Sequence, residues 1–433
     1  MGLNDSISDL RAGAACVDIT PPLGTMIPGL FHERFAEKIR DPLHARAFVV
    51  EAGGEGVAIV VCDLIGVKRP YLDRAKNRIA DSTGLAPERI LLSCTHTHTG
   101  AATGEDAYTA FLVERIADVV RLAWESRESA LVGSGHAEED RVIFNRRFHM
   151  KDGSVRTNPG TGNPDVVKPA GPVDPAIDVL CLHDARENPL GILANYALHY
   201  VGVPDSERTV SADYFGAFSR LLQGLRGARF VAALSNGACG DINNHDVIGG
   251  VRPKNDHFQH SERVAGMIAA GAFWVWNEVE FKGDAVVGGV MKEIVLDRKG
   301  LPSEADLQRV KEIEGREKAT MADRAFVRRI TRRMEDVPDQ VSTWVQALRV
   351  GDLSIAAVPG ELMVELGLDI KARSPFDHTM VIELANDSVG YLPTRKAYDE
   401  GGYEPEASLF QPGCGELIAD TAVDLLTQLF DRA

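Results

Sequence analysis

The segment CTHTHTG (94–100) holds the most suggestive chemistry in the chain. Two positions apart in an extended segment, His96 and His98 point to the same side. Imidazole nitrogen is the commonest metal ligand, and a pair at a strand end is a good start for a zinc site. The plainer alternative packs one ring and solvates the other. His199 closes the apolar run LGILANYALH and, taken alone, reads more readily as a hydrogen-bonded core residue. Glu361 follows Val-Pro-Gly and, taken alone, reads as a first-turn carboxylate favoured by a helix dipole. Arg146 and Arg147, in NRRF, carry fixed donors suited to a carbonyl or oxyanion, although locally they look like a surface pair. The turn NGACGDINNHD (236–246) lacks the ending of a phosphate loop. It reads equally as a nest of backbone N–H groups or as a tight strand-to-helix turn, with His245 and Asp246 at the surface.

These residues sit where strand-like runs end. Apolar runs recur at 45–52, 56–67, 89–96, 176–184, 190–199, 229–237, 353–361 and 379–387. Their length and Val/Ile/Leu content predict strands buried on both faces. Amphipathic spacing predicts helices at 70–84, 107–126, 214–225 and 260–279. The alternation indicates an α/β protein with a mixed sheet flanked by helices. Asp63, His96, His98, His199, Glu361, Asn386 and Asp387 all fall at run ends, where α/β sheets gather their ligands. Residues 137–175, rich in Gly, Pro and Asn, read as long ordered loops. Residues 302–337 read as a charged helical excursion on the surface of one catalytic unit spanning 1–433.

Composition narrows the function. With 47 Lys+Arg against 63 Asp+Glu, the net charge is -16, which disfavours nucleic acid. The N-terminus lacks the basic and apolar regions of an export signal, and no apolar run reaches the ~20 residues of a membrane span. Six scattered cysteines without a CxxC read as reduced core residues of a cytoplasmic protein. The expected partner is a small-molecule substrate, with no membrane. Self-association is left open.

In order along nearly the whole chain, several motifs resemble the catalytic domain of the neutral/alkaline (non-lysosomal) ceramidase family of zinc amidases. They are AGAACVDITPPLG (12–24), CTHTHTG (94–100), FNRR (144–147), NYALHYVG (195–202), SADYFG (211–216), NGACGDINN (236–244), VPGE (358–361) and NDSVGYLPTRKAYDEGGYE (386–404). The resemblance implies a Zn²⁺ cofactor held by His96, His199 and Glu361, with Tyr391 beside the metal as a further ligand and as a catalytic phenol that stabilises the oxyanion. It implies His98 as the catalytic histidine and Arg146 as the arginine that contacts substrate or oxyanion. Two histidines and a carboxylate form a known catalytic zinc set. Asp63 and Asp213 are candidates to orient histidine ligands, with Asp213 equally readable as a helix N-cap. Asn243, Arg147 and Tyr403 are candidate substrate contacts, with the 401–404 loop as a pocket rim.

Three departures redirect the substrate expectation. The family resembled here carries a serine where this chain has Asn243. The chain also lacks that family's C-terminal β-sandwich and any apolar helix for a membrane surface. The resulting expectation is a zinc hydrolase cleaving the amide of a small, more polar substrate. The alternatives are a lactone or ester hydrolase, a true ceramidase, or a non-catalytic binding relative.

Overall fold

Two sheets packed face to face position every candidate residue in this computed structural model, which describes residues 9–202, 207–249, 257–334 and 338–432. The larger sheet has eight strands. Their spatial order is Val231–Asn236, Pro189–Tyr196, Ala176–Asp184, Glu128–Glu138, Arg11–Asp18, His44–Ala52, Glu55–Cys62 and Ile90–Cys94. The pair at each end is parallel and the inner pairs are antiparallel. The smaller sheet runs Val287–Asp297, Gln340–Val350, Leu353–Ala357 and His378–Ile382, its last pair parallel.

Strand alternation explains the continuous apolar runs. In Glu55–Cys62, Ala58, Val60 and Cys62 face helices α1 (Arg69–Thr83) and α2 (Ala107–Glu125). Val57, Ile59 and Val61 face the smaller sheet, against residues such as Leu348, Ile355 and Met380. Both faces are therefore apolar, and each large side chain buried there contributes about 1.5–3 kcal/mol of transfer free energy. Helices α3 (Asp213–Arg226) and α4 (His257–Glu278) cover the other half of the large sheet. The outer face of the small sheet is covered by α7 (Val364–Arg373) and by a long C-terminal helix, Cys414–Asp431. The layers are helix, sheet, sheet, helix.

All eight expected strands form, as do the four expected helices. The central strand Arg11–Asp18 escaped the sequence reading because RAGAACVD carries almost no bulky apolar residue. Small size is required there: a Cβ on Gly13 would lie 2.1 Å from the Ala123 carbonyl oxygen of α2. Residues 137–175 are not pure loop; they hold short strands at Phe144–Asn145, Arg147–Met150, Val155–Thr157 and Val166–Pro169. The charged excursion is a helical pair, α5 (Glu304–Glu314) and α6 (Met321–Met334), inserted between two strands of the small sheet. Its small core is Ile313, Phe326 and Ile330; residues 335–337 of the expected segment lie outside the described residues. All six cysteines are free, but Cys16 is exposed and not a core residue. Among the described residues, no helix is long and apolar enough to cross a membrane.

Candidate active site

Three strand exits meet at one point. Beyond Cys94 the chain is tied to the exit of the neighbouring parallel strand, by Thr95 N–H to Cys62 O (2.9 Å) and His96 N–H to Leu64 O (2.9 Å). The exit of the small sheet clamps both halves of the large one: Asn386 N–H donates to Leu92 O (2.7 Å) and Glu383 N–H to Asn236 O (3.1 Å). These joints need unusual backbone. His96 (φ 66°), Leu384 (φ 51°) and Asn386 (φ 63°) all lie in the left-handed region, as does Asp213 (φ 49°). Such strain costs about 1–3 kcal/mol per residue and persists only where surrounding contacts impose it.

The rings of His96 and His98 therefore do not share one face of an extended strand; a turn brings them together. Their Nε2 atoms are 3.4 Å apart, and His98 Nε2 is 3.1 Å from His199 Nε2. His96 Nδ1 lies 2.8 Å from Ile65 O and His98 Nδ1 3.1 Å from Gly29 O. A carbonyl accepts only, so both Nδ1 atoms carry a proton, and in the neutral rings both Nε2 lone pairs are free to converge. Arg34, buried, donates to the backbone oxygen of His98 and to Pro28 O. Glu361 Oε2 is 3.4 Å from His96 Nε2 and 3.9 Å from His199 Nδ1. That oxygen is buried and has no hydrogen-bond partner.

Charge is arranged accordingly. Burial, and then the cationic potential of His96, Arg34 and Arg146, holds His98 well below the usual imidazole range. Burial and Arg146 do the same to His199. Burial opposes the His96 cation, but Glu361 more than offsets it and raises its pKa. Burial pushes the Glu361 carboxyl up; His96, Arg146 and the Tyr391 phenol together bring it below its ordinary value. The Tyr391 phenol is pushed well up by burial and by Glu361, so it remains a proton donor.

This donor set fits a cation. Tetrahedral coordination at Zn–N of 2.0–2.1 Å separates two nitrogens by about 3.3 Å, close to the spacings of the three Nε2 atoms. The structure groups His96, His98 and His199 as the tightest candidate ligands, so His98 joins the set that the resemblance implied, His96, His199 and Glu361 with Tyr391. His199 is the least ready of the three. Arg146 Nη1 lies 3.1 Å from its Nδ1, and an arginine only donates. The Cys239 backbone also hydrogen-bonds this ring, so His199 is held by several partners at once.

Arg146 is the brace of the site. Beyond His199, it donates to Glu404 Oε1 (2.7 Å), Gly240 O (2.6 Å) and the Tyr391 phenol oxygen (3.2 Å). Glu361 and Tyr391 lie opposite each other on paired two-residue strands, so Glu361 is not a first-turn helix carboxylate. Arg147 does not turn toward the histidines; Gly401 O, Glu404 and Glu400 take its guanidinium, and it latches the 400–404 segment in place. Tyr403 packs edge-on against Tyr391 at 5.5 Å and against Phe31 at 6.0 Å. The Asn243 amide is engaged by Asn158 (2.8 Å) and His245 (3.0 Å). His245 and Asp246 are half-buried, not surface residues.

Other expectations are corrected. Asp63 does not orient a histidine ligand: its Oδ2 accepts from Arg46 Nη1 (2.8 Å) and His44 N–H (2.8 Å). Asp213 is not the N-cap, which is Ala212; it accepts from the hydroxyl of Thr97 (2.6 Å), between the two histidines. Backbone carbonyls of Ile65 and Gly29 orient the rings instead. The 236–246 turn is no open anion nest, since Cys239 N–H donates to Glu383 and Gly240 N–H to Leu362 O (2.8 Å). It leads into a short strand, Ile242–Asn243, and not directly into a helix.

No protein-family profile matches the chain. Solved structures do. The crystal structure of neutral ceramidase from Pseudomonas aeruginosa superposes with a TM-score of 0.76 over 98% of this chain and 75% of that one, at 18% identity. A structure of a ceramidase complexed with C2 gives a TM-score of 0.77 over 98% and 76%, also at 18% identity. The chain has the neutral ceramidase fold. The likeness spans the ceramidase-type architecture from the first sheet strand to the C-terminal helix.

Two buried carboxylates of this site were not read from the sequence as its braces: Glu383, and Glu404, which was expected only as part of the 401–404 rim. Glu404, fully buried, joins Arg146, Arg147 and Thr157. Glu383, also fully buried, accepts from Cys239 Sγ (2.9 Å), Cys239 N–H (3.2 Å) and Leu362 N–H (3.2 Å). A charged residue inside an apolar strand run, as in VIELAND, was the available signal for Glu383.

Proposed function

We propose that this protein is a zinc-dependent hydrolase that cleaves an amide bond of a small, polar substrate by attack of water. One observation carries the reading. Three imidazole Nε2 atoms and an unpartnered buried carboxylate oxygen, delivered by separate strand exits, converge in a space suited to one cation. The fold shared with ceramidases supports it. His96, His199 and Glu361 would hold the ion, with His98 and Tyr391 at its edge. Zinc bound there would polarise the scissile carbonyl and lower the pKa of water.

The chain's own groups supply the rest. His98, held neutral and fixed through Gly29, accepts a proton at Nε2 and returns it to the leaving amine. The Tyr391 phenol donates toward the oxygen that gains negative charge, and Arg146 holds Tyr391 and His199 in place. Because the attack is the same for esters, lactone or ester hydrolysis is the second reading. The six free cysteines agree with a cytoplasmic location, which belongs to the proposal. The test is a panel of amides, esters and lactones with metal-loaded and chelator-treated enzyme. Amide turnover that chelation abolishes and zinc restores supports the proposal; full turnover without metal refutes it.

A further inference from the structure

A cavity of about 620 Å³ lies between the N-terminal segment 26–33 and the helical pair. That is within the usual range for a small-molecule site. Its walls are largely apolar: Ile27, Leu30 and Phe31 on one side, Ile313 and Val327 on the other. Two contacts join it to the histidine cluster. Gly29, on its lining, accepts from His98 Nδ1 at 3.1 Å. Phe31 packs on Tyr403, which packs on Tyr391.

The cavity also has a charged feature. Arg324 and Arg328, one turn apart on α6, both line it. Their neighbours on the same helix are paired: Arg329 with Glu406 and Arg333 with Asp306. Among the described residues, neither Arg324 nor Arg328 is in an ion pair; Arg328 donates to the Leu30 carbonyl (2.7 Å). Glu33 and Glu314 lie on the lining as well, exposed, and leave both guanidinium groups without a carboxylate. Two unmatched arginines in a chain of net charge -16 run against the overall balance. Like charges one turn apart repel, and an anion between them relieves that cost.

We propose that this cavity receives an apolar chain or ring that carries a carboxylate, and that the substrate is therefore an N-acylated amino acid. The inference rests on the hydrolase reading for the reaction and on the cavity for the ligand class. In the reaction the acyl C–N bond breaks and a C–O bond forms from water. The amino acid leaves with a proton on nitrogen, and the acyl group leaves as a carboxylate. Arg324 and Arg328 hold the carboxylate, and the apolar walls hold the hydrocarbon.

The experiment compares N-hexanoyl amino acids with their methyl esters, using the wild-type holoenzyme, Arg324→Gln and Arg324→Gln/Arg328→Gln. Turnover and calorimetric binding are both measured. The free acids should exceed the esters in kcat/KM by about tenfold or more, and the double variant should lose that advantage through KM while the esters are unaffected. Equal use and equal binding of acid and ester by the wild type would overturn the proposal, as would an acid preference that survives the double variant. Binding of the free acids that weakens about tenfold in the double variant, with no turnover of any amide, would retain the cavity's ligand and sink the hydrolase reading instead.

Discussion

The two halves of the large sheet follow one plan. In the first, the hairpin of His44–Ala52 and Glu55–Cys62 leads through α1 to the parallel strand Ile90–Cys94, then to α2. In the second, the hairpin of Ala176–Asp184 and Pro189–Tyr196 leads through α3 to the parallel strand Val231–Asn236, then to α4. The small sheet repeats the plan, with the hairpin of Gln340–Val350 and Leu353–Ala357, α7, and the parallel strand His378–Ile382. What differs is the residue at each exit. The middle strands lead to Asp63, His199 and Glu361; the last strands lead to His96 and His98, the 237–240 turn, and Glu383. The plan fixes where exits meet, and the exit residues decide whether the place binds, braces or only packs. Asp63 holds Arg46, whereas His199 in the matching place enters the cluster.

Changing an exit residue should break the plan's chemistry and leave its packing. The largest effect is expected for His199→Ala. Hydrolysis should fall on the order of 10³-fold, with loss of the ion, while circular dichroism shows an intact fold. Asp63→Asn, at the corresponding exit, should leave metal content unchanged in the same elemental assay.

The helices sharpen the contrast through two lysines, one half-buried and one buried. Lys371 of α7 sits between Asp174 (2.7 Å) and Asp178 (2.8 Å), and those carboxylates raise its pKa against burial. Lys371→Met should cost about 3 kcal/mol in denaturant unfolding, because it leaves Asp174 without a cation and Asp178 with His378 alone. At the third exit, Glu383→Gln keeps the shape but turns an amide donor toward backbone N–H groups. It should weaken metal affinity about 10–100-fold in a chelator competition, as loss of a group that positions ligands does.

Lys76 of α1 is the smallest and opposite case. It is buried with no carboxylate in contact, only Pro87 O (3.4 Å) and Met291 Sδ (3.6 Å), and burial lowers its pKa to about 7. A folded pKa below the ordinary 10.5 means that the penalty is absent above about pH 10.5 and complete below about pH 7. Lys76→Met should stabilise the protein by about 1–2 kcal/mol at pH 6.5, and the gain in Tm should shrink by pH 9.5.

Sequence made the strands legible because both faces of each are apolar, as the two sides of Glu55–Cys62 illustrate. It made His96 and His98 legible as a pair that follows such a run, whereas the roles of His199 and Glu361 came only from the ordered resemblance of the motifs. Three features were hidden. The second sheet was hidden because a strand under a helix and a strand under another sheet show the same apolar pattern. The repeated plan was hidden because it is carried by topology; CTHTHTG and NGACG occupy equivalent exits and share no residue pattern. The partners of Asp63, Asp213 and Arg147 were hidden because Arg46, Thr97 and Glu404 reach them only through tertiary packing.

The central claim is that exits from three equivalent modules assemble one catalytic zinc site. It is tested most directly by elemental analysis of the purified wild type and of His199→Ala, paired with amide hydrolysis of the same samples. One zinc per chain with turnover in the wild type, and neither in the variant, is the result expected. A wild-type protein that hydrolyses amides at full rate without metal, or a His199→Ala variant that keeps both ion and activity, would contradict the account.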